Sequence, residues 1–229
     1  MNKCVVIQFS GCDCAGKSSQ IRMLVDNLQK QPSSAVSGSK RKNGLSVKIL
    51  WSRFGYTPGF VILKSFLYFF RSGKKKSCEL KRENAEKQRN RFRLLWGALS
   101  IIDLCFFYVV SIRFYKLFYD FVILDRYVED ALLDAEIILG WRLNSSFVGA
   151  VITTMALRPD KKFLLVVEPE VTVDRSSLKR EPFPDSFTTT CHRYAFYCSL
   201  ISSEFLVLEG TKDIKYLAEV VADEVSQLH

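Results

Sequence analysis

The chain has 229 residues, of which 48% are hydrophobic and 13% aromatic, and its Lys and Arg residues exceed its Asp and Glu residues to give a net charge of +9. This composition is typical of one globular domain with a full core, and it excludes a disordered, collagen-like or low-complexity chain. The seven cysteines contain no Cys-x-x-Cys pair, which indicates reduced thiols and a cytoplasmic protein. The N-terminal apolar run is too short for the core of a signal peptide, so we expect no export signal.

Alternating apolar and amphipathic stretches predict the secondary structure. Strands are predicted at residues 4–9, 46–51, 121–124, 162–167 and 204–208. The runs at 121–124 and 162–167 are typical of buried parallel strands, because they are continuous apolar segments flanked by charges. Helical patterns separate the predicted strands at residues 17–29, 58–70, 78–118, 129–139, 147–157, 187–202 and 214–227. Residues 30–45 are rich in Ser, Gly and Lys, which predicts a flexible surface loop. The alternation predicts an α/β fold, a doubly wound five-stranded parallel sheet flanked by helices, in one domain over residues 1–229.

Most of the excess positive charge lies in residues 71–93, where ten basic and three acidic side chains account for +7 of the +9. Such a run contacts nucleic acid, anionic lipid or phosphorylated ligands in some proteins, but it is more often a solvated helix start and loop. We therefore expect no nucleic acid partner.

Residues 94–112 form a nearly continuous apolar stretch with the length of a membrane span. Its central Asp103 would cost about 2.5 to 3.5 kcal/mol at the middle of a bilayer, and a strand begins soon after the stretch. A core helix of a soluble domain is the favoured interpretation. The apolar residues 59–70 leave open a contact of the surface with a membrane or with another protein.

The sequence Gly-Cys-Asp-Cys-Ala-Gly-Lys-Ser fits the phosphate-binding pattern G-x-x-x-x-G-K-[ST], and it lies between a predicted strand and a predicted helix. The glycines let backbone N–H groups cradle phosphate oxygens, the lysine reaches the β and γ phosphates, and the serine hydroxyl can ligate Mg²⁺. The expected ligands are ATP and Mg²⁺. The expected ATP-binding residues of the loop are Gly11, Cys12, Asp13, Cys14, Ala15, Gly16, Lys17, Ser18 and Ser19.

In its longer form, from Phe9 to Gln20, this loop resembles the G-x-D-x-x-G-K-[ST]-T-Q loop of the thymidylate kinase family. Three more stretches are similar to family motifs in the same order: Asp-Arg-Tyr at 125–127, a Pro-Glu-Val with a downstream arginine at 169–175, and a helix, strand and Gly-Thr turn over 193–211. The likeness spans almost the whole chain. It implies a P-loop NTPase-type fold with a lid at about 170–186, and phosphoryl transfer from ATP to a nucleoside monophosphate, with dTMP as the first candidate.

The resemblance also implies roles for individual residues. Lys17 would stabilise the transferred phosphoryl group, Ser18 and Asp125 would hold Mg²⁺, and Arg126 would contact phosphate between donor and acceptor. Asp13 and Arg53 would bind the sugar hydroxyl and the phosphate of the acceptor, with Asp103 on the same side. The lid and the Gly-Thr turn would contribute further groups, namely the catalytic Arg175, the ATP-binding Arg180 and Thr211, and Lys179.

The departures from the family pattern all lie on the acceptor side. Ser10 replaces an acidic residue, Leu104 takes the approximate place of an arginine that reads thymine, and residues 52–59 replace the Arg-Glu-Pro-Gly-Gly-Thr loop. ATP use is therefore better supported than a preference for dTMP. Two alternatives stay open: a kinase of this fold with another phosphorylated or membrane-linked acceptor, and a non-catalytic nucleotide-binding interaction domain. By analogy with the family, the helix at 94–112 would suit a homodimer interface.

Overall fold

The computed structural model describes residues 4–30, 45–53, 97–143, 146–179, 185–201 and 204–228. In chain order, these residues form β1 (Val5–Gly11), α1 (Lys17–Lys30), β2 (Val47–Trp51), α2 (Gly97–Tyr115, with a π-helical turn at Phe107–Ser111), β3 (Phe121–Asp125), α3 (Val128–Leu139), α4 (Phe147–Met155), β4 (Lys161–Val166), α5 (Pro169–Lys179), α6 (Phe187–Ser199), β5 (Leu206–Glu209) and α7 (Ile214–Ser226). The strands form one sheet in the order β2-β3-β1-β4-β5, and all neighbours are parallel. The predicted α/β fold, a five-stranded parallel sheet flanked by helices, is confirmed.

The sheet carries a hydrophobic core on each face. Val5, Ile7 and Phe9 of β1 belong to a cluster with residues of α1, α6 and α7, whereas Val6 belongs to a second cluster with residues of α2, α3 and α4. All seven residues of β1 are buried. A strand that is covered on both faces is a continuous apolar run rather than an alternating one, which explains why the sequence pattern identifies it.

The carboxyl ends of β1, β2 and β3 meet at one edge of the sheet, because these strands are parallel neighbours. The register pairs Asp125 with Phe9 of β1 and with Trp51 of β2. Since β1 lies between β3 and β4, the connection that follows β3 crosses to the other side of β1. Open α/β sheets bind ligands outside the carboxyl ends of their strands at such a change of direction. The fold therefore brings residues 11–16 and 125–127 to the expected place for a site.

Helix α2 is long and apolar enough to cross a membrane, with a mean hydropathy of 1.7. One of its faces, with Leu104, Tyr108 and Ile112, is buried in the second core cluster. The other face carries four large apolar side chains that are 46–64% exposed: Ile102, Phe106, Val110 and Phe114. One side of this helix therefore packs as the predicted core helix would, and the other side is an apolar surface.

Helix α5 is an element that the sequence patterns do not predict. It occupies the first part of the expected lid and starts at Pro169, a favourable first residue because its fixed φ suits a helix. Its apolar residues Val173 and Leu178 are exposed, so the helix has no clear apolar stripe for periodicity to detect. The predicted helix at 58–70, the basic run at 71–93 and nearly all of the loop at 30–45 lie outside the described residues.

Candidate functional site

The turn between β1 and α1 has a backbone shape that favours glycine. Gly11 has a φ of +132° and Gly16 a φ of +97°. A Cβ atom at Gly11 would lie 1.9 Å from the carbonyl oxygen of Leu165, so β4 passes too close for any side chain there. Cys14 also has a positive φ, +55°, which is uncommon for a residue with a side chain. The turn is therefore held in one strained shape against β4.

A second turn, between β5 and α7, packs against the first. A Cβ atom at Gly210 would lie 2.5 Å from the carbonyl oxygen of Ala15, so the two backbones touch. Nη1 of Arg175 donates hydrogen bonds to the carbonyl oxygens of Cys14 (3.2 Å) and Gly210 (3.0 Å). Arg175 of α5 thereby fixes the two turns to each other.

Lys17, the first residue of α1, bends back over the turn. Its side chain is 7% exposed, and Nζ donates to the carbonyl oxygens of Gly11 (2.7 Å) and Cys12 (2.5 Å). Burial, together with the charge of Arg126, lowers the pKa of Lys17 to about 8. An anion placed beside this ammonium would raise its pKa again, so the site favours a negatively charged ligand.

A cavity of about 170 Å³ opens above the turn at the carboxyl ends of β1, β2 and β3. The first N–H groups of a helix have no carbonyl partner within the helix, and the helix dipole adds partial positive charge there. In α1 these groups belong to Lys17 and Ser18, which both line the cavity. The described lining consists of Asp13, Cys14, Ala15, Gly16, Lys17, Ser18, Ser19, Trp51, Asp125, Arg126 and Lys179.

Asp13 and Arg126 form an ion pair within this lining, between Oδ1 and Nη2. Arg126 follows β3 with a φ of +72°, is 6% exposed, and donates its backbone N–H to the carbonyl oxygen of Phe9 (2.9 Å). Burial would raise the pKa of Asp13, but Arg126 and Lys17 outweigh it and lower this pKa to about 2. Nη1 of Arg126 is buried and donates no hydrogen bond within the described structure. One nitrogen of this arginine therefore has an unsatisfied hydrogen-bonding capacity beside the cavity.

Asp125 and Ser18 both line the cavity, and their side chains carry oxygen atoms of the kind that Mg²⁺ prefers. Burial raises the pKa of Asp125, although Lys17 and Arg126 oppose this shift. No cluster of three or more His, Cys, Asp and Glu side chains suited to a metal exists among the described residues. Mg²⁺ is commonly held by one or two protein groups together with substrate phosphates and water. The donor set here therefore fits Mg²⁺ that arrives with a nucleotide better than a metal site built by protein alone.

Asp130 of α3 connects the cavity to the core. Its Oδ2 accepts hydrogen bonds from Oγ of Ser10 (2.5 Å) and from the backbone of Tyr127 (3.0 Å), and its Oδ1 accepts one from Oη of Tyr197 (2.6 Å). Oδ1 also lies 3.8 Å from Nη1 of Arg126. Ser10 is thus a hydrogen-bonding partner of the buried carboxylate of Asp130. An acidic side chain at position 10 would place a second negative charge beside this carboxylate.

Arg53 does not line the cavity but belongs to a neighbouring charge cluster. Its Nε lies 3.3 Å from Oδ2 of Asp134, whose Oδ1 accepts a hydrogen bond from Nη1 of Arg193 (2.7 Å). The charges of Arg53 and Arg193 both help to lower the pKa of Asp13. Arg53 thus acts electrostatically on a residue of the cavity lining and contacts a carboxylate that the sequence analysis does not identify, while its role in acceptor binding stays a prediction.

The remaining predicted site residues have varied positions. Asp103 is half-buried on α2 and is not part of the described cavity lining, and Thr211 is exposed beside Gly210. Arg180 lies outside the described residues, whereas its neighbour Lys179 does line the cavity. Arg175 bonds to the backbone of the turns instead of lining the cavity.

Sequence reasoning missed Trp51, Asp130, Asp134 and Arg193. A signal for the two aspartates exists, because they are four residues apart in a helix that is otherwise mostly apolar. Carboxylates on a core-facing helix surface need cationic or hydrogen-bonding partners. No comparable signal points to Trp51, which is a cavity residue only because β2 ends beside Asp125.

The chain matches no protein-family model and no curated protein.

Proposed function

We propose that the protein is an ATP-dependent phosphotransferase of the thymidylate kinase type, which transfers the γ-phosphoryl group of Mg-ATP to a nucleoside monophosphate. The observation that carries this proposal is the convergence of Lys17, the start of α1, Asp125 and Arg126 on one cavity. Phosphoryl transfer needs alignment of donor and acceptor and positive charge around the moving group, and little covalent chemistry from the protein. By the motif resemblance, dTMP is the first acceptor to test.

The turn at residues 11–16 would act as the phosphate-binding loop of a P-loop NTPase. Mg-ATP would supply the transferable phosphoryl group, with Ser18 and Asp125 as the protein groups that hold the metal. Lys17 would exchange its two carbonyl contacts for phosphate oxygens, which offer a full negative charge in a buried place. The tight fit of Gly11 and Gly210 keeps the loop backbone in place for this role.

Arg126 would stabilise charge between donor and acceptor. Its buried Nη1 has an unused donor, and its Nη2 is held by Asp13, which remains ionised at neutral pH because its pKa is about 2. The side chain is thus oriented before substrate binds, which is the condition for effective electrostatic stabilisation. Asp13 would at the same time present its second oxygen to a hydroxyl group of the acceptor.

The test is ADP production from Mg-ATP with a panel of nucleoside monophosphates that includes dTMP and dUMP. Lys17→Ala is the inactive reference, and Lys30→Ala, at the exposed end of the same helix, is the matched control. We expect turnover with at least one acceptor in the wild-type and Lys30→Ala proteins and a loss of about a hundredfold or more in Lys17→Ala. Full activity in Lys17→Ala would reject the proposal.

A second candidate keeps the chemistry but changes the acceptor, and the position of Leu104 favours it. Leu104 is 4% exposed within the second core cluster, so α2 offers no polar side chain at this position for reading a base. An acceptor site that lacks a hydrogen-bonding group loses discrimination for the base that needs it. If a phosphorylated compound other than dTMP is the acceptor with the highest turnover, the result would support this second candidate. ATP binding without any turnover would leave only a nucleotide-binding role.

A further inference from the structure

Asp134 is the centre of a buried charge cluster behind the cavity. Its side chain is fully buried on α3, one helical turn after Asp130. Its two oxygens hold guanidinium groups from different elements, namely Arg193 of α6 at 2.7 Å and Arg53, two residues after β2, at 3.3 Å. Arg193 is itself 4% exposed and donates its Nε to Oδ2 of Asp185 (2.7 Å). Arg193 therefore binds two carboxylates, whereas Arg53 contacts one among the described residues.

Arg53 is held at one edge of its guanidinium group only. The contact with Asp134 uses Nε, and the two Nη nitrogens have no described ion-pair partner, while a third of the side chain is exposed. An arginine offers five N–H donors in a planar fork, so an Nε contact leaves donors for a bidentate anion. Oδ2 of Asp134 is buried and accepts no hydrogen bond from the described residues, so its partner is the charge of Arg53.

Arg53 is linked to the cavity by its position in the chain and by its charge. Arg53 follows Trp51, which lines the cavity, and its charge acts on Asp13 together with that of Arg126. The charge of Arg53 is thus coupled to Asp13, one of the residues proposed to contact the acceptor.

We propose that Asp134 is a positioning residue for the acceptor phosphate, because it fixes Arg53 by Nε and leaves both Nη nitrogens for the phosphate. This inference rests on the proposed function. An arginine that is oriented in advance loses less conformational freedom when substrate binds. A lysine in its place would carry its charge on a single nitrogen, which Asp134 would occupy.

The experiment compares steady-state kinetics of wild type, Asp134→Asn, Arg53→Ala and the double variant. Asp134→Asn keeps the shape and an oxygen for Arg193 but removes the charge that holds Arg53. We expect the KM for the acceptor to rise about tenfold or more, with the KM for ATP unchanged and kcat changed less. The same substitution should have no further effect on the acceptor KM when Arg53 is already alanine. Glu136→Gln removes a carboxylate from the same helix and should leave both KM values unchanged.

Arg53→Lys is a second test for the case that Asp134→Asn does not fold. Since the side chain of Arg53 is partly exposed, we expect Arg53→Lys to fold correctly. We expect it to raise the acceptor KM by the same factor as Arg53→Ala. Near wild-type KM values in Arg53→Lys, or an equal rise of both KM values in Asp134→Asn, would overturn this inference and leave the proposed function intact. Absence of turnover in the wild-type protein would reject the proposed function itself, and the role of Asp134 in acceptor binding with it.

Discussion

The buried ammonium of Lys17 should make the stability of the fold depend on pH. Burial, with the nearby Arg126, lowers the pKa of Lys17 from 10.5 to about 8. Between these two values the unfolded chain binds more protons than the folded chain, so the contribution of Lys17 to the free energy of unfolding rises with pH. At about 1.4 kcal/mol per pKa unit, this contribution grows by about 2 to 3 kcal/mol between pH 7 and pH 10.

The assay is denaturant unfolding of the wild-type protein and Lys17→Met at about pH 7 and about pH 10. Cysteine and tyrosine side chains also titrate in the unfolded chain in this interval, but they do so in both proteins, so the difference between the two isolates Lys17. We expect the wild type to gain about 2 to 3 kcal/mol relative to Lys17→Met as the pH rises. Lys30→Met, at the exposed end of α1, should show no such change. If the difference in unfolding free energy between the wild type and Lys17→Met stayed constant with pH, or if the wild type lost stability relative to Lys17→Met as the pH rose, the assignment of a buried ammonium with a lowered pKa would be refuted.

Three further predictions concern the packing around the turn. Gly11→Ala should lose more than about 3 kcal/mol of unfolding free energy, because the added Cβ clashes with β4 at a position of positive φ. Gly140→Ala also has a positive φ, +72°, but has open space around it, so it should lose only about 1 to 2 kcal/mol. Equal losses of the two variants in denaturant titrations would contradict the clash. Ser10→Asp should lower the Tm at neutral pH, because the new carboxylate would face Asp130. This loss of Tm should become smaller in acid, where one of the two carboxyl groups binds a proton. A loss of Tm that does not depend on pH would contradict the repulsion between the two carboxylates. Arg175→Ala should raise the KM for ATP about tenfold, since the carbonyls of the two turns lose their shared donor, and an unchanged KM would exclude a positioning role.

The sheet could be predicted from the sequence because the physical signal for buried parallel strands is local. β1, β3 and β4 each contain an uninterrupted run of three or four apolar residues, and such runs are typical of strands that are covered on both faces. The start of α1 and the glycine turn follow from the motif spacing for the same reason. Helix α5 could not be predicted, since Val173 and Leu178 are exposed and give no periodic signal.

The candidate site was predictable only in part, because some of its members come from elements far apart in sequence. Asp125 and Arg126 lie at the end of β3 and Lys17 begins the helix that follows β1, and the parallel pairing of β1 with β3 brings them together. Asp134 and Arg193 meet through the packing of α3 against α6, and no local pattern encodes which arginine pairs with which buried carboxylate. The role of Ser10 likewise becomes clear only when Asp130 is seen opposite it.

Transfer of the γ-phosphoryl group to an acceptor can be measured directly with labelled ATP. The wild-type protein and Lys17→Ala would be incubated with Mg²⁺, ATP labelled at its γ-phosphate and each nucleoside monophosphate, and the products would be separated. We predict that the wild type transfers the label to a nucleoside diphosphate and that Lys17→Ala does not. Label found only in ATP and inorganic phosphate, for every acceptor, would contradict it.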